Sequence, residues 1–159
     1  MEKAIFAAGC FWHVQKGFDE ITGVISTEVG YTGGIVENPT YQMVCKGDTG
    51  HAEAVRIKFD PEKITYDELL NIFWQSHNPT TKNRQGPDVG PQYRSAIFYL
   101  NEQQREIAEN SLLSWRKSAK ISGNIVTEIT ASAFFYRAEE YHQNYFKKIN
   151  KNSSIFCDL

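Results

Sequence analysis

Apolar and polar positions recur along the chain with two periods, near two and near 3.6 residues, and the changes between them mark out the elements. Lys3 to Ala8 holds an unbroken apolar run from Ala4, the pattern of a short buried strand, and Gly9 supplies the turn after it. From Phe11 to Ile21 the apolar residues Val14, Phe18 and Ile21 return at helical spacing, which places Cys10 at a helix N-terminus. Val24 to Tyr31 reads as a strand ended by Thr32-Gly33-Gly34, and a loop follows through Asn38-Pro39. After Gly47-Asp48-Thr49-Gly50, Ala52 to Phe59 alternates as a half-buried strand. Thr65 with Glu68 forms a capping box, and Leu69, Leu70, Ile72 and Phe73 supply the stripe of a helix ending near His77.

Between Asn78 and Arg94 the periodicity stops, and Pro79, Gly86, Pro87, Gly90 and Pro91 punctuate a polar stretch. Loops of this length inside a compact domain are usually functional. Ser95 to Leu100 is a strand, and Asn101 to Lys117 a helix with Asn101 as its cap and Gln104 three residues on. Gly123-Asn124 turns the chain into a strand from Ile125 to Ala131. Ala138 to Ile149 reads as the last helix, and residues 150–159 form a polar, mobile tail carrying Cys157. This order predicts an α+β fold, a two-layer mixed sheet with helices on one side, of split βαβ (ferredoxin-like) type with long functional loops. One domain over 1–159 accommodates it, with no repeat, linker or low-complexity segment.

Composition narrows the function. The 159 residues are 41% hydrophobic, 13% aromatic and 23% charged, which suits a globular domain and not a disordered segment. Seventeen basic residues against 19 acidic ones give a net charge of -2, without the basic field that a nucleic-acid partner needs. No apolar run nears the ~18 residues of a membrane span. Ala7-Ala8-Gly9-Cys10 has the look of a lipoprotein cleavage box, but the leader would have only nine residues and start with acidic Glu2. Three scattered cysteines, Cys10, Cys45 and Cys157, are too few for a disulfide framework and point to a reducing, cytoplasmic setting.

In that setting, the surroundings of each cysteine matter. Cys10 at a helix start gains from the partial positive charge there, which favours thiolate and makes it a candidate nucleophile; the plain alternative is a small residue in a tight turn. Phe11 and Trp12 are either an apolar wall beside that sulfur or ordinary core. Glu53 follows a Gly-rich turn. Facing a pocket, it would be desolvated and serve as a general acid near neutral pH; facing water, it is an ordinary carboxylate. Tyr41 and Tyr93 follow Pro-containing loops and can donate to a developing oxyanion. Among His13, His51, His77 and His142, only Cys10-x2-His13 offers close ligand spacing, so no metal is expected. A Cys-His hydrolase with His51 or His142 as base fits the same inventory.

The ordered set Gly9-Cys10-Phe11-Trp12, Gly30-Tyr31-Thr32-Gly33-Gly34, Gly50-His51-Ala52-Glu53, Gln92-Tyr93-Arg94-Ser95 and Glu140-Tyr141-His142-Gln143 resembles that of the peptide methionine sulfoxide reductases of A type, across nearly the whole chain. The resemblance implies repair of methionine S-sulfoxide, free or in peptides and proteins. In that reading Cys10 attacks the sulfoxide sulfur, Glu53 protonates its oxygen, and the Tyr41 and Tyr93 hydroxyls hold that oxygen. Phe11 and Trp12 receive the S-methyl group. Asp88 binds the peptide backbone or braces the tyrosines, and His51 sits beside the acid as a substrate contact or a structural group. Cys157 resolves the Cys10 sulfenic acid as a disulfide that thioredoxin reduces, Cys45 is structural, and the single catalytic domain works as a monomer without a bound cofactor. Several positions depart from the family pattern: Asn152 to Phe156 ahead of Cys157, Gln15 in place of an acid, and Pro87 and Pro91 around Asp88. A Cys-His acyl transferase, and a noncatalytic binder of oxidised peptides, are the competing readings.

Overall fold

The computed structural model describes residues 1–150. In chain order the elements are β1 (Glu2–Ala8), α1 (Phe11–Asp19), β2 (Val24–Thr32), α2 (Tyr41–Cys45), β3 (Ala52–Phe59), α3 (Tyr66–Gln75), β4 (Arg84–Gln85), β5 (Asp88–Val89), β6 (Ser95–Tyr99), α4 (Glu102–Ser118), β7 (Glu128–Ala131), β8 (Tyr136–Arg137) and α5 (Tyr145–Asn150). Six strands form one sheet in the order β7-β6-β1-β3-β2-β8, while β4 and β5 make a separate hairpin. Its inner four strands, β6-β1-β3-β2, are antiparallel throughout, the arrangement of a split βαβ unit, and β7 joins β6 in parallel to make the sheet mixed. The segment with the look of a cleavage box is thus the end of a central strand.

Alternation along the strands separates the two faces. Ala4, Phe6, Val29, Tyr31, Val55, Ile57, Phe59 and Ile97 meet Phe18 of α1, Phe73 and Trp74 of α3 and Ala108 of α4 in the main core. Phe6 lies 5.6 Å from Phe18 and 5.1 Å from Phe73, ring to ring, and the Trp74 Nε1–H donates to Ser111 Oγ at 2.9 Å to tie α3 to α4. The other face is built from small residues, Ala7, Ala52, Ala54 and Ala96, with Ile5, Phe98 and Phe135. Among the described residues no helix is long and apolar enough to cross a membrane.

Two expected elements differ from the pattern reading, and four short ones were not expected. The expected helix from Ala138 to Ile149 is a 3-10 turn at Glu140–His142 followed by α5. Between them the Gln143 side-chain amide donates to Val29 O and Ala138 O and accepts from Val29 N, each at 2.9 Å, and Asn144 takes φ +54°. This side chain pulls the backbone onto β2 and breaks the helix. The strand expected from Ile125 pairs only from Glu128, because Val126 N donates to Pro79 O and Ile125 O accepts from Arg116. α2, β8 and the β4–β5 hairpin had no periodic signature.

One end of the sheet collects the C-terminus of β1, the N-termini of β3 and β6, α2 and the β4–β5 hairpin. Cys10, Phe11, Trp12, Tyr41, His51, Glu53, Asp88 and Tyr93 come from these segments or the residues adjoining them, whereas His142 comes from the turn Glu140–His142 and His77 follows α3.

Candidate active site

Gly9 has φ +95°, and a Cβ there would lie 2.7 Å from Gln85 Cγ of the hairpin. Only glycine lets the hairpin come this close to the turn. Cys10 follows as the N-cap of α1, its carbonyl accepting from His13 N at 3.2 Å and Val14 N at 3.4 Å. The first-turn amide of Phe11, which has no partner within the helix, donates to Glu53 Oε1 at 3.2 Å. Glu53 lies on the core face of β3, shares that face with Val55, and is only 1% exposed. Its second oxygen, Oε2, is buried without a partner among the described residues.

Burial pushes the Glu53 carboxyl up to about 8, with the Phe11 amide pulling down and Asp88 adding to the rise. A buried acid of this kind holds its proton at neutral pH and can deliver it from the unpartnered oxygen. For Cys10 the helix-start expectation meets a correction. The amides of Trp12 and His13 do favour thiolate, but burial first, and the Glu53 charge second, outweigh them and push the thiol up to about 12. The substrate-free site therefore pairs a thiol with a carboxylic acid.

Cys10 and Asp88 line one open cleft together with His13 and Gln85. Tyr41 opens α2, and Tyr93 closes the turn Pro91–Tyr93. Burial raises both phenols first; Tyr41 is raised further by its side-chain hydrogen bond with Cys45 and then by Glu53, and Tyr93 by Glu53, Cys45, Asp88 and Cys10. Both stay neutral O–H donors at physiological pH. Phe11 is 1% exposed, its ring 5.7 Å from Tyr31 and 5.2 Å from His142, so it forms the inner layer of an aromatic wall. Trp12, half-buried, stacks on Tyr145 at 3.8 Å and donates from Nε1 to His142 Nδ1 at 3.0 Å.

The two histidines considered as bases are otherwise engaged. His51, beside the acid in sequence, accepts from Gly34 N at Nδ1 (3.0 Å) and contacts Val36 O through Nε2 (2.7 Å), so both nitrogens tie down the backbone of the 34–36 loop. This makes it a brace and not a substrate contact. His142 accepts from Trp12 at Nδ1, which leaves Nε2 protonated and no nitrogen free to take a proton. The Cys-His hydrolase reading loses both its bases. No three His, Cys, Asp or Glu side chains among the described residues cluster as metal ligands. Cys45 is exposed at the end of α2, and Cys157 lies outside the described residues.

The model of the peptide methionine sulfoxide reductase family matches residues 2–158. The chain belongs to this family. A peptide methionine sulfoxide reductase of Methanosarcina acetivorans is 56% identical over 148 residues, covering 93% of this chain and 79% of that one. Mxr1 of Saccharomyces cerevisiae in its reduced form superposes with a TM-score of 0.89 at 33% identity, covering 98% of this chain and 88% of that one. The yeast protein in complex with Trx2 gives 0.65 at 24% identity over 91% of this chain and 84% of that one, a likeness of fold.

Several residues of the site escaped the sequence reading. Tyr31 looked like a strand residue, yet it pairs with Glu53 across β2 and β3 and donates its hydroxyl to Glu139 at 2.8 Å. His142 was weighed as a base or a metal ligand, whereas it sits among Phe11, Trp12 and Tyr41. The available signals were the motifs that hold them, Gly30 to Gly34 around Tyr31 and Glu140 to Gln143, in which polar His142 and Gln143 are buried.

Proposed function

We propose that this reductase returns methionine S-sulfoxide, free or within peptides and proteins, to methionine, with Cys10 as nucleophile and Glu53 as acid. The observation that carries the reading is a buried carboxylic acid with one unpartnered oxygen, hydrogen-bonded to the residue next to a thiol. Sulfoxide sulfur becomes electrophilic as its oxygen is protonated. Glu53 gives its proton to that oxygen while Cys10 Sγ attacks the sulfur, and the Tyr41 and Tyr93 hydroxyls stabilise the oxygen as charge develops. The sulfoxide S–O bond breaks, the transient Sγ–S bond gives way as the hydroxyl passes to Cys10 and frees methionine, and the Cys10 thiol proton goes to Glu53. Methionine sulfur is reduced by two electrons, and Cys10 becomes a sulfenic acid. Phe11 and Trp12 supply the apolar wall for the S-methyl group, with discrimination of ~1–3 kcal/mol per methylene. Asp88, which lines the cleft with Cys10, binds the substrate backbone.

Cys157 then attacks the sulfenic sulfur, releasing water and leaving a Cys10–Cys157 disulfide. Thioredoxin reduces it by thiol exchange, a step supported by the yeast relative's structure with Trx2. The chain works as one catalytic domain, a monomer in the cytoplasm, with no bound cofactor. The test is single-turnover reduction of N-acetyl-methionine S-sulfoxide by the prereduced protein, followed by mass spectrometry. Stoichiometric methionine with a Cys10–Cys157 disulfide is expected. No methionine with Cys10 still a free thiol overturns the reading.

A further inference from the structure

The carboxylate of Glu139 joins two groups that lie far from it in sequence. Its Oε1 accepts from the Tyr31 hydroxyl at 2.8 Å, and its Oε2 from the Tyr41 backbone N–H at 2.9 Å. Tyr31 is fully buried on β2, directly opposite Glu53 in the β2–β3 register. Tyr41 is the first residue of α2, whose amide has no acceptor within its own helix. Glu139 also precedes the 3-10 turn Glu140–His142, its carbonyl accepting from His142 N at 2.9 Å, and the His142 ring lies 4.4 Å from the Tyr41 ring. One short segment thus holds Tyr41 twice, by its amide through Glu139 and by its ring through His142.

The carboxylate is not needed merely to cap α2. Thr40 already does so, its hydroxyl accepting from Met43 N at 3.2 Å. α2 has five residues and buries only Val44, and its other hydrogen bond to a distant segment is a long one at the opposite end, Gln92 Nε2 donating to Cys45 O at 3.5 Å. We infer that Glu139 is a positioning residue for sulfoxide reduction: by bridging Tyr31 of β2 to the start of α2, it sets the Tyr41 hydroxyl where the sulfoxide oxygen arrives. The inference rests on the role proposed above for Tyr41 as an oxygen-holding donor. It does not rest on Glu139 touching substrate.

A double-mutant cycle on the full chain tests it, reading single-turnover rate and KM for N-acetyl-methionine S-sulfoxide by the prereduced protein. Tyr41→Phe removes the hydroxyl, and Glu139→Ala removes the bridge. Each is expected to slow the saturated rate ~10-fold or more while KM moves within about threefold, because the interaction is made as charge develops on oxygen. The double variant should be no slower than the worse single variant by more than about twofold. Glu139→Gln should recover most of the rate, since its carbonyl can accept from Tyr41 N while its NH2 donates to the Tyr31 oxygen. If the two losses multiply, Glu139 does not act through Tyr41 and the inference falls, while the Tyr41 role stands. If Tyr41→Phe alone keeps the full rate, the Tyr41 role itself fails and takes the inference with it. Should Glu139→Ala not fold, Glu139→Asp takes its place in the cycle, because its shorter arm cannot span both partners.

Discussion

At the scale of single residues, the site depends on which proton sits where. Glu53 accepts one hydrogen bond, from Phe11 N, and turns its other oxygen toward no protein partner among the described residues. Gln at this position keeps the shape and the acceptor but has no acidic proton to give. Glu53→Gln should therefore slow single-turnover reduction by ~10² or more, and stopped-flow measurement showing an unchanged rate would refute the acid assignment. Cys10→Ser should leave no measurable methionine production, since a hydroxyl cannot take the place of the sulfur that is oxidised. Glu53 was readable as a candidate because it opens a strand right after a Gly-rich turn. Its direction was also encoded: Val55, Ile57 and Phe59 face the core, and the period of two carries Glu53 to the same side. The Cys10 thiol was misread because a helix N-terminus is visible in sequence, whereas Ser76, His77 and Gln85 to Asp88, which close around it, lie 66–78 positions away. A separation of 15 to 17 residues hid the double engagement of His51, whose partners Gly34 and Val36 come from another loop.

At the scale of elements, the strongly periodic ones were legible and the short ones were not. The Thr65 capping box forms as read, with Glu68 N donating to Thr65 Oγ1 and Thr65 N to Glu68 Oε1. A two-residue strand has no period to detect, so the β4–β5 hairpin was visible only as a long loop with prolines. Yet this hairpin brings Asp88 to the cleft, and its seat is the Gly9 turn. Gly9→Ala sets a methyl 2.7 Å from Gln85 Cγ and 2.9 Å from Gln85 Cβ, at a φ of +95° that L residues avoid. Unfolding in urea should show a loss of ~1–3 kcal/mol from strain alone. The displaced hairpin should also lower kcat/KM for a peptide substrate more than for free methionine sulfoxide, because Asp88 is assigned to the peptide backbone. An equal loss on both substrates would separate Asp88 from backbone binding.

At the scale of the whole molecule, the buried acid that serves chemistry is opposed by stability, and pH exposes the opposition. Glu53 titrates near 4.5 when unfolded and is pushed up to about 8 in the fold. Between these values the native state holds a proton that the unfolded chain has released, so stability falls as pH rises. His77 runs the other way. Buried with its nitrogens on Phe73 O (2.8 Å) and Ser95 Oγ (2.7 Å), it is lowered from 6.5 to about 4, and over that interval the unfolded chain holds the extra proton. Stability gained from His77 as pH rises to 6.5 thus offsets the loss from Glu53 between 4.5 and 6.5. Above 6.5 the Glu53 loss continues alone up to about 8, a span worth ~2 kcal/mol at ~1.4 kcal/mol per pH unit. Denaturant unfolding of the reduced chain at pH 6.5 and pH 8 should show this decline, and Glu53→Gln, which has nothing to titrate there, should lose ~2 kcal/mol less over the same interval. Comparing the two proteins cancels every other group that titrates in this range. Equal slopes would mean that Glu53 is already ionised in the resting fold, and a carboxylate there has no proton to deliver to the sulfoxide oxygen.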